Sequence, residues 1–130
     1  MKLMKNCKNT KIQGCIGLGQ AIAYFTKMGY VVSSPLNDSQ DYDLVVEINE
    51  KLYKVQVKTT TIKTGSGYYQ PYIKSCCKNT KKSYIRYADE FKYDYLFVTA
   101  DNLESWFIPK TVLNQKVAVT LNKEFDQYKV

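Results

Sequence analysis

At 130 residues the chain has room for one hydrophobic core and not two, so a single domain over 1–130 is expected. Its apolar and charged fractions exclude the disordered and fibrous classes. The 19 basic and 12 acidic residues leave a net charge of +7, which favours a polyanionic partner, either nucleic acid or an anionic membrane surface.

No stretch approaches the roughly 20 apolar residues of a membrane span. The lysines at 2, 5, 8 and 11 break up any signal-like apolar run, so an intracellular, cytoplasmic protein without membrane association is expected. With no histidine in the chain, mixed cysteine–histidine zinc sites and histidine-activated nucleophiles are excluded. Cys7, Cys15, Cys76 and Cys77 match no zinc or redox spacing and read as reduced thiols. Catalysis must therefore draw on carboxylate, lysine, tyrosine or a metal ion.

In chain order, Ile16, Leu18, Ala21, Ile22, Phe25 and Met28 recur at helical spacing. They predict a helix over about residues 14–28, closed by Gly29 at positive φ. Gly14, Gly17 and Gly19 lack the strand, the spacing and the following GK[S/T] of a phosphate loop; they are expected to let the helix start approach a neighbouring backbone. Tyr30-Val31-Val32 reads as a short strand stopped before Pro35, and Leu36 to Gln40 as a polar loop. Asp43 to Ile48 and Lys54 to Lys58 then alternate with period two around a turn at Asn49-Glu50. Residues 61–92 hold a Thr64-Gly65-Ser66-Gly67 turn, tyrosines broken by Pro71 and a basic run, and are predicted as an extended arm or loop. Tyr95 to Val98 and Trp106 to Ile108 read as a further hairpin, Thr111 to Leu113 as a helical turn, and Val117 to Leu121 as a last short strand.

The hairpin at 43–58 carries the chemistry. A two-residue turn sets Asp43 opposite Gln56, and a four-residue turn sets it opposite Lys58. Either register brings Asp43, Gln56 and Lys58 to one face, at separations of roughly 5 to 8 Å. The plain explanation is a cross-strand ion pair between Asp43 and Lys58. The chemical one is a site for a hard cation such as Mg²⁺, with Mn²⁺ as a substitute, cleaving a phosphodiester. Asp43 then supplies a charged oxygen, Gln56 an amide oxygen, and Val57 its carbonyl if the backbone turns inward. Lys58 orients or helps deprotonate the attacking water and offsets charge on phosphorus. Asp41 shares the parity of Asp43 and is a lesser candidate, while Glu47 lies near the turn, away from Lys58.

This pattern resembles the PD-(D/E)xK nuclease superfamily, in which a helix precedes a hairpin bearing an acidic residue and then E-x-K or Q-x-K. Here those are Asp43 and Gln56-Val57-Lys58. The order Gly29-Tyr30-Val31-Val32, Tyr42-Asp43-Leu44 and Val55-Gln56-Val57-Lys58-Thr59 is similar to the homing endonucleases of this superfamily encoded in group I introns and to their bacterial and phage relatives. The likeness implies an α/β (α+β) fold with a restriction-endonuclease-like core, a mixed central β-sheet and the N-terminal helix packed on it. It also implies a Mg²⁺-dependent DNA endonuclease, of homing or restriction type, with a Holliday-junction resolvase as the alternative. These families carry a glutamate after a glycine in the first helix, and the matching position after Gly19 is Gln20, whose amide oxygen is the implied substitute ligand. The loss of that charge makes a catalytically weakened DNA-binding module a second expectation.

Lys54, Lys63, Lys74, Lys78, Lys81, Lys82 and Arg86 are candidates for tracking phosphates, the run from 74 to 86 above all. Tyr68, Tyr69 and Tyr72 are candidates either for stacking in a groove or for strand packing. Cutting both strands of a duplex needs two sites, so a homodimer or homotetramer is expected, with the tyrosines and Trp106 as interface candidates. The resemblance favours the tetramer.

Overall fold

The computed structural model describes Met4, residues 8–78 and residues 80–130; Lys2, Lys5 and Cys7 lie outside the described residues. Helix α1 (Thr10–Lys27) starts where the Asn9 side chain accepts a hydrogen bond from the Lys11 amide. That cap, and not the first apolar residue, sets the start, so the helix begins ahead of the position its hydrophobic spacing suggests. At the other end Gly29 takes φ 77°, its amide donates to the Thr26 carbonyl and that of Tyr30 to the Phe25 carbonyl, a closure that needs the left-handed glycine. The buried stripe is Gly17, Ala21 and Phe25, one residue per turn. Ile22 and Met28, placed inward by the spacing, are exposed.

Among the described residues seven strands follow: β1 (Val31–Ser33), β2 (Leu44–Ile48), β3 (Lys51–Thr60), β4 (Ser75–Lys78), β5 (Ser83–Arg86), β6 (Tyr95–Ala100) and β7 (Ser105–Pro109). The central sheet has the order β1-β2-β3-β6-β7. Its β3–β6 pair is parallel and its other pairs antiparallel, which makes it the expected mixed sheet.

Strand alternation gives the sheet two faces. Leu44, Val46, Val55 and Phe97 meet Ala21 and Phe25 of α1 on one of them. At Gly17 a Cβ would overlap the Thr59 methyl, so α1 and β3 approach more closely than any larger residue allows. Gly14 and Gly19 have no such neighbour. On the opposite face Leu96, Val98, Trp106 and Ile108 are covered by Tyr69, Ile73, Tyr93, Val119, Leu121 and Phe125, all supplied by the connections.

The region read as an arm contains structure of its own. β4 and β5 form a separate two-stranded ribbon, and a 3₁₀ turn at Ala88–Glu90 leads back toward β6. The stretch Val117 to Leu121 is not a strand. It is tied to residues 69–73 by hydrogen bonds from Ile73 N to Val117 O, Val119 N to Pro71 O and Leu121 N to Tyr69 O, and Pro71, having no N–H, breaks the ladder. Further 3₁₀ turns span Lys110–Val112 and Lys123–Tyr128. Among the described residues no helix is long and apolar enough to cross a membrane.

Candidate active site

The β2–β3 ladder runs from Ile48↔Lys51 to Leu44↔Val55, leaving Asn49 and Glu50 as a two-residue turn with φ of 50° and 66°. Of the two registers open to the sequence, the one that sets Asp43 across from Gln56 is the one present. The Asp43 amide also donates to Val55 O at 2.9 Å, one residue out of that register, so the ladder is irregular where β2 begins.

The Asp43 carboxylate sits where β2 begins and β3 runs on without it, still paired with β6. Its Oδ2 accepts from the Val57 backbone N–H at 2.7 Å and from Gln56 Nε2 at 2.9 Å. Among the described residues no donor reaches Oδ1. Successive peptide groups alternate sides along a strand, while the N–H and C=O of one residue point the same way. The Val57 carbonyl therefore points with its N–H toward the Asp43 side, past the start of β2. Gln56, having given its amide hydrogen to Asp43, keeps Oε1 as an acceptor.

Lys58 is half-buried beside Val98 of β6. Burial pushes its ammonium pKa below the usual lysine value, and the Asp43 charge raises it part of the way back. No ion-pair contact among the described residues joins the two groups, so the plain explanation of a cross-strand salt bridge does not describe this hairpin. Gln56 holds the seat that a bridging lysine would take.

Asp43 lines a cavity of about 210 Å³ with Leu18, Pro35, Asn37, Asp38, Gln40 and Tyr42. The Gln40 side chain braces this loop, donating to Asn37 O at 2.7 Å and to Tyr42 O at 3.3 Å. Asp38 thus adds a second carboxylate to the cavity wall. Sequence reading passed over it because a loop residue carries no periodicity that says where it points.

Gln20 lies elsewhere. It lines a different cavity of about 210 Å³ with Tyr24, Lys27, Phe97, Ser105 and Val130, none of which borders the cavity of Asp43. Helical geometry explains the separation. With Gly17 against β3, Leu18 falls on the flank toward Asp43 and Gln20 on the flank toward β6 and β7. The glutamine in the row of Gly17 is half-buried Gln13, one turn nearer the N-terminus.

Asp41 does not join Asp43. It accepts from Arg86 Nη1 at 2.8 Å, from Arg86 Nη2 at 3.2 Å and from the Lys92 amide at 3.0 Å. The Arg86 hydrogen bonds hold the Asp41 carboxyl below the usual carboxylate range. Arg86, a candidate for phosphate contact, is therefore engaged within the chain. Lys78, Lys81 and Lys82 are exposed on or next to the ribbon. Lys74 lies over the Tyr72 ring, and Lys63 over that of Tyr69 at 4.6 Å. Tyr69 is buried and donates its hydroxyl to Asp101, so it is a core residue and not a groove reader. Trp106, only 3% exposed, packs edge-on against Tyr69 and belongs to the core and not to an interface.

Comparison with known proteins places this geometry. Residues 8–128 match the family described as PD-(D/E)XK endonuclease. Among solved structures, a bacterial homing endonuclease, I-Ssp6803I, is similar in fold, with a TM-score of 0.78 at 23% identity over 93% of this chain and 88% of that chain. No curated protein matches.

Proposed function

Because the chain belongs to the PD-(D/E)XK endonuclease family, we propose that the face bearing Asp43, Gln56 and Lys58 cuts double-stranded DNA in a magnesium-dependent hydrolysis, in an assembly of two or four chains. The observation that supports this most is the Asp43 carboxylate. One of its oxygens is fixed by two donors of β3, the other has no donor among the described residues, and the residue lines an open cavity.

Nucleases of this family generally use divalent metal ions, and the donor set fits such an ion. A hard cation takes oxygen ligands and keeps several waters. Asp43 Oδ1, Gln56 Oε1 and the Val57 carbonyl are the oxygens that would hold it. When bound, Mg²⁺ or Mn²⁺ supplies positive charge against the phosphate and lowers the pKa of water.

The chain's own residues do the rest. The N–H of Val57 and the amide of Gln56 hold Asp43 in one orientation before any substrate arrives. Lys58 directs its ammonium at the phosphate and the attacking water, stabilising charge that grows in the transition state. Its half-buried position makes that interaction stronger than in bulk water and eases loss of its proton. The exposed lysines of the ribbon hold the duplex by its phosphates, with Lys74, Lys78, Lys81 and Lys82 as the principal contacts and Lys54 and Lys63 flanking.

A second reading has an observation of its own. Among the described residues no group of three or more His, Cys, Asp or Glu side chains is placed to hold a metal. A site with so little negative charge binds its ion weakly, which suits a module that binds DNA without cutting it.

One experiment separates the readings. Linear duplex and a synthetic four-way junction are each incubated with the protein in Mg²⁺, in Mn²⁺ and in EDTA. Metal-dependent breaks in the linear duplex support the proposal. Cutting confined to the junction replaces it with a resolvase, and binding without product in either metal replaces it with the binding module.

A further inference from the structure

The contact between Asp41 and Arg86 joins the two parts of the molecule that the nuclease reading needs. Asp41 lies two residues before Asp43 on the segment leading into β2. Arg86 is the last residue of β5, paired with Ser75 at the root of the basic ribbon. The guanidinium grips both carboxylate oxygens, donates also to Glu90 O at 3.1 Å, and lies 4.2 Å from the centre of the Phe91 ring. The Lys92 amide adds a further donor to the same carboxylate.

The setting is more ordered than a surface ion pair usually is. Arg86 and Asp41 keep only 29% and 18% of their side chains exposed. The backbone on the far side of Arg86 is fixed as well, since the Tyr87 amide donates to the Glu90 carboxylate at 2.6 Å and the chain closes into the Ala88–Glu90 turn. Two parallel N–H···O bonds constrain angle as well as distance. A lysine in place of Arg86 keeps the charge and loses that constraint.

The ribbon also carries exposed Lys81 and Lys82 between its two strands. Its outward face, alternating from the root, carries Cys76, Ile85, Lys78 and Ser83, of which Cys76, Lys78, Ser83 and Ile85 are all exposed. A two-stranded ribbon of this kind is of a size that the DNA major groove admits.

We propose that the Asp41–Arg86 pair is a positioning joint: it seats the basic ribbon at one place relative to Asp43, and so determines which phosphodiester of a bound duplex meets the catalytic face. This rests on the nuclease reading above. Arg86 acts here through Asp41 and not as a phosphate contact, so the joint governs the rate and position of cutting and leaves the strength of binding alone.

The test uses Asp41→Asn and Arg86→Lys in the full chain. Spin labels are placed on the exposed Cys15 of α1 and Cys76 of the ribbon, with Cys7 and Cys77 replaced by alanine. The label-to-label distance distribution is expected to be narrow in the parent protein and broadened in both variants. This readout needs no cleavage. With duplex DNA, metal-free affinity and its salt slope are expected to stay unchanged. The single-turnover rate at saturating protein falls on the order of 100-fold, the scale of a misplaced reacting group, and cutting spreads to neighbouring phosphodiesters. The double variant is expected to be no worse than either single one, since both remove one joint.

An unchanged distance distribution overturns the joint. So does broadening with an unchanged rate and cut position, or an affinity loss with a salt slope about one unit shallower in Arg86→Gln, the mark of a phosphate contact. A parent protein that cuts no duplex is a different failure, that of the nuclease reading itself.

Discussion

Asp43 is useful because its hydrogen-bonding capacity is half committed. Oδ2 is held by β3 and Oδ1 is not, so the side chain is oriented without being neutralised. The same logic separates the two helix glutamines. Gln20 borders a cavity with Phe97 and Ser105 that Asp43 does not line. Calorimetric titration of Mn²⁺ is expected to give the same affinity for Gln20→Glu as for the parent protein, and a loss of at least about tenfold for Asp43→Ala, in line with the removal of a charged ligand. Tighter binding by Gln20→Glu would put that side chain back at the site. The sequence made Asp43, Gln56 and Lys58 legible because strand alternation is strict, and a shift of two residues in the turn left all three on one face. Which of Gln56 and Lys58 stands across from Asp43 was not legible, because it depends on Asn49 and Glu50 both accepting positive φ, and glutamate gives no local sign of that. Asp41 was a lesser candidate and Asp38 was passed over for a related reason: Asp38 lines the cavity and Asp41 binds Arg86, and only the tertiary path of the loop distinguishes them.

At the scale of elements, α1 and the hairpin announced themselves by period, and the layer opposite α1 did not. That layer is built from turns and single extended residues, with Tyr69, Ile73, Tyr93 and Val119 arriving from separate connections. No window of the sequence spanning it has a helical or strand period, and Pro71 interrupts the ladder between residues 69–73 and 117–121. The ribbon escaped prediction because β4 and β5 have four residues each and lie off the main sheet, with no buried face to impose alternation. The turn-built layer still carries much of the core, and Tyr93 reports on it. Burial pushes its phenol up to about 12 from an ordinary value near 10. With the folded value raised, the stabilisation is present in full below about pH 10 and is lost as pH climbs toward 12, where the unfolded chain gains from ionising first. The loss amounts to at most about 2 to 3 kcal/mol. Tyr93→Phe is expected to lose less stability than the parent protein between pH 10 and 12 in urea unfolding. Parallel losses in the two proteins would show that Tyr93 ionises freely when folded.

For the molecule as a whole, the division of labour follows the sheet. One end of the β2–β3 hairpin is the tight Asn49-Glu50 turn, and at the other Asp43 lines its cavity, with Lys58 on the strand that continues past it. The basic ribbon stands off the root of that same region through Arg86 and Asp41, and the net charge of +7 favours polyanion capture over the whole surface. In the proposed reading capture falls to the ribbon lysines and cutting to Lys58, so different variants are expected to abolish each. In the proposed mechanism the ammonium of Lys58 acts on the scissile phosphate. Its most direct test is the conversion of supercoiled plasmid in Mg²⁺ by the parent protein and by Lys58→Ala, with binding to the same DNA measured in Ca²⁺. Nicked and linear products are expected from the parent, and a rate at least about 100-fold lower from Lys58→Ala with DNA binding retained. Equal rates of cutting by the two proteins would contradict that mechanism.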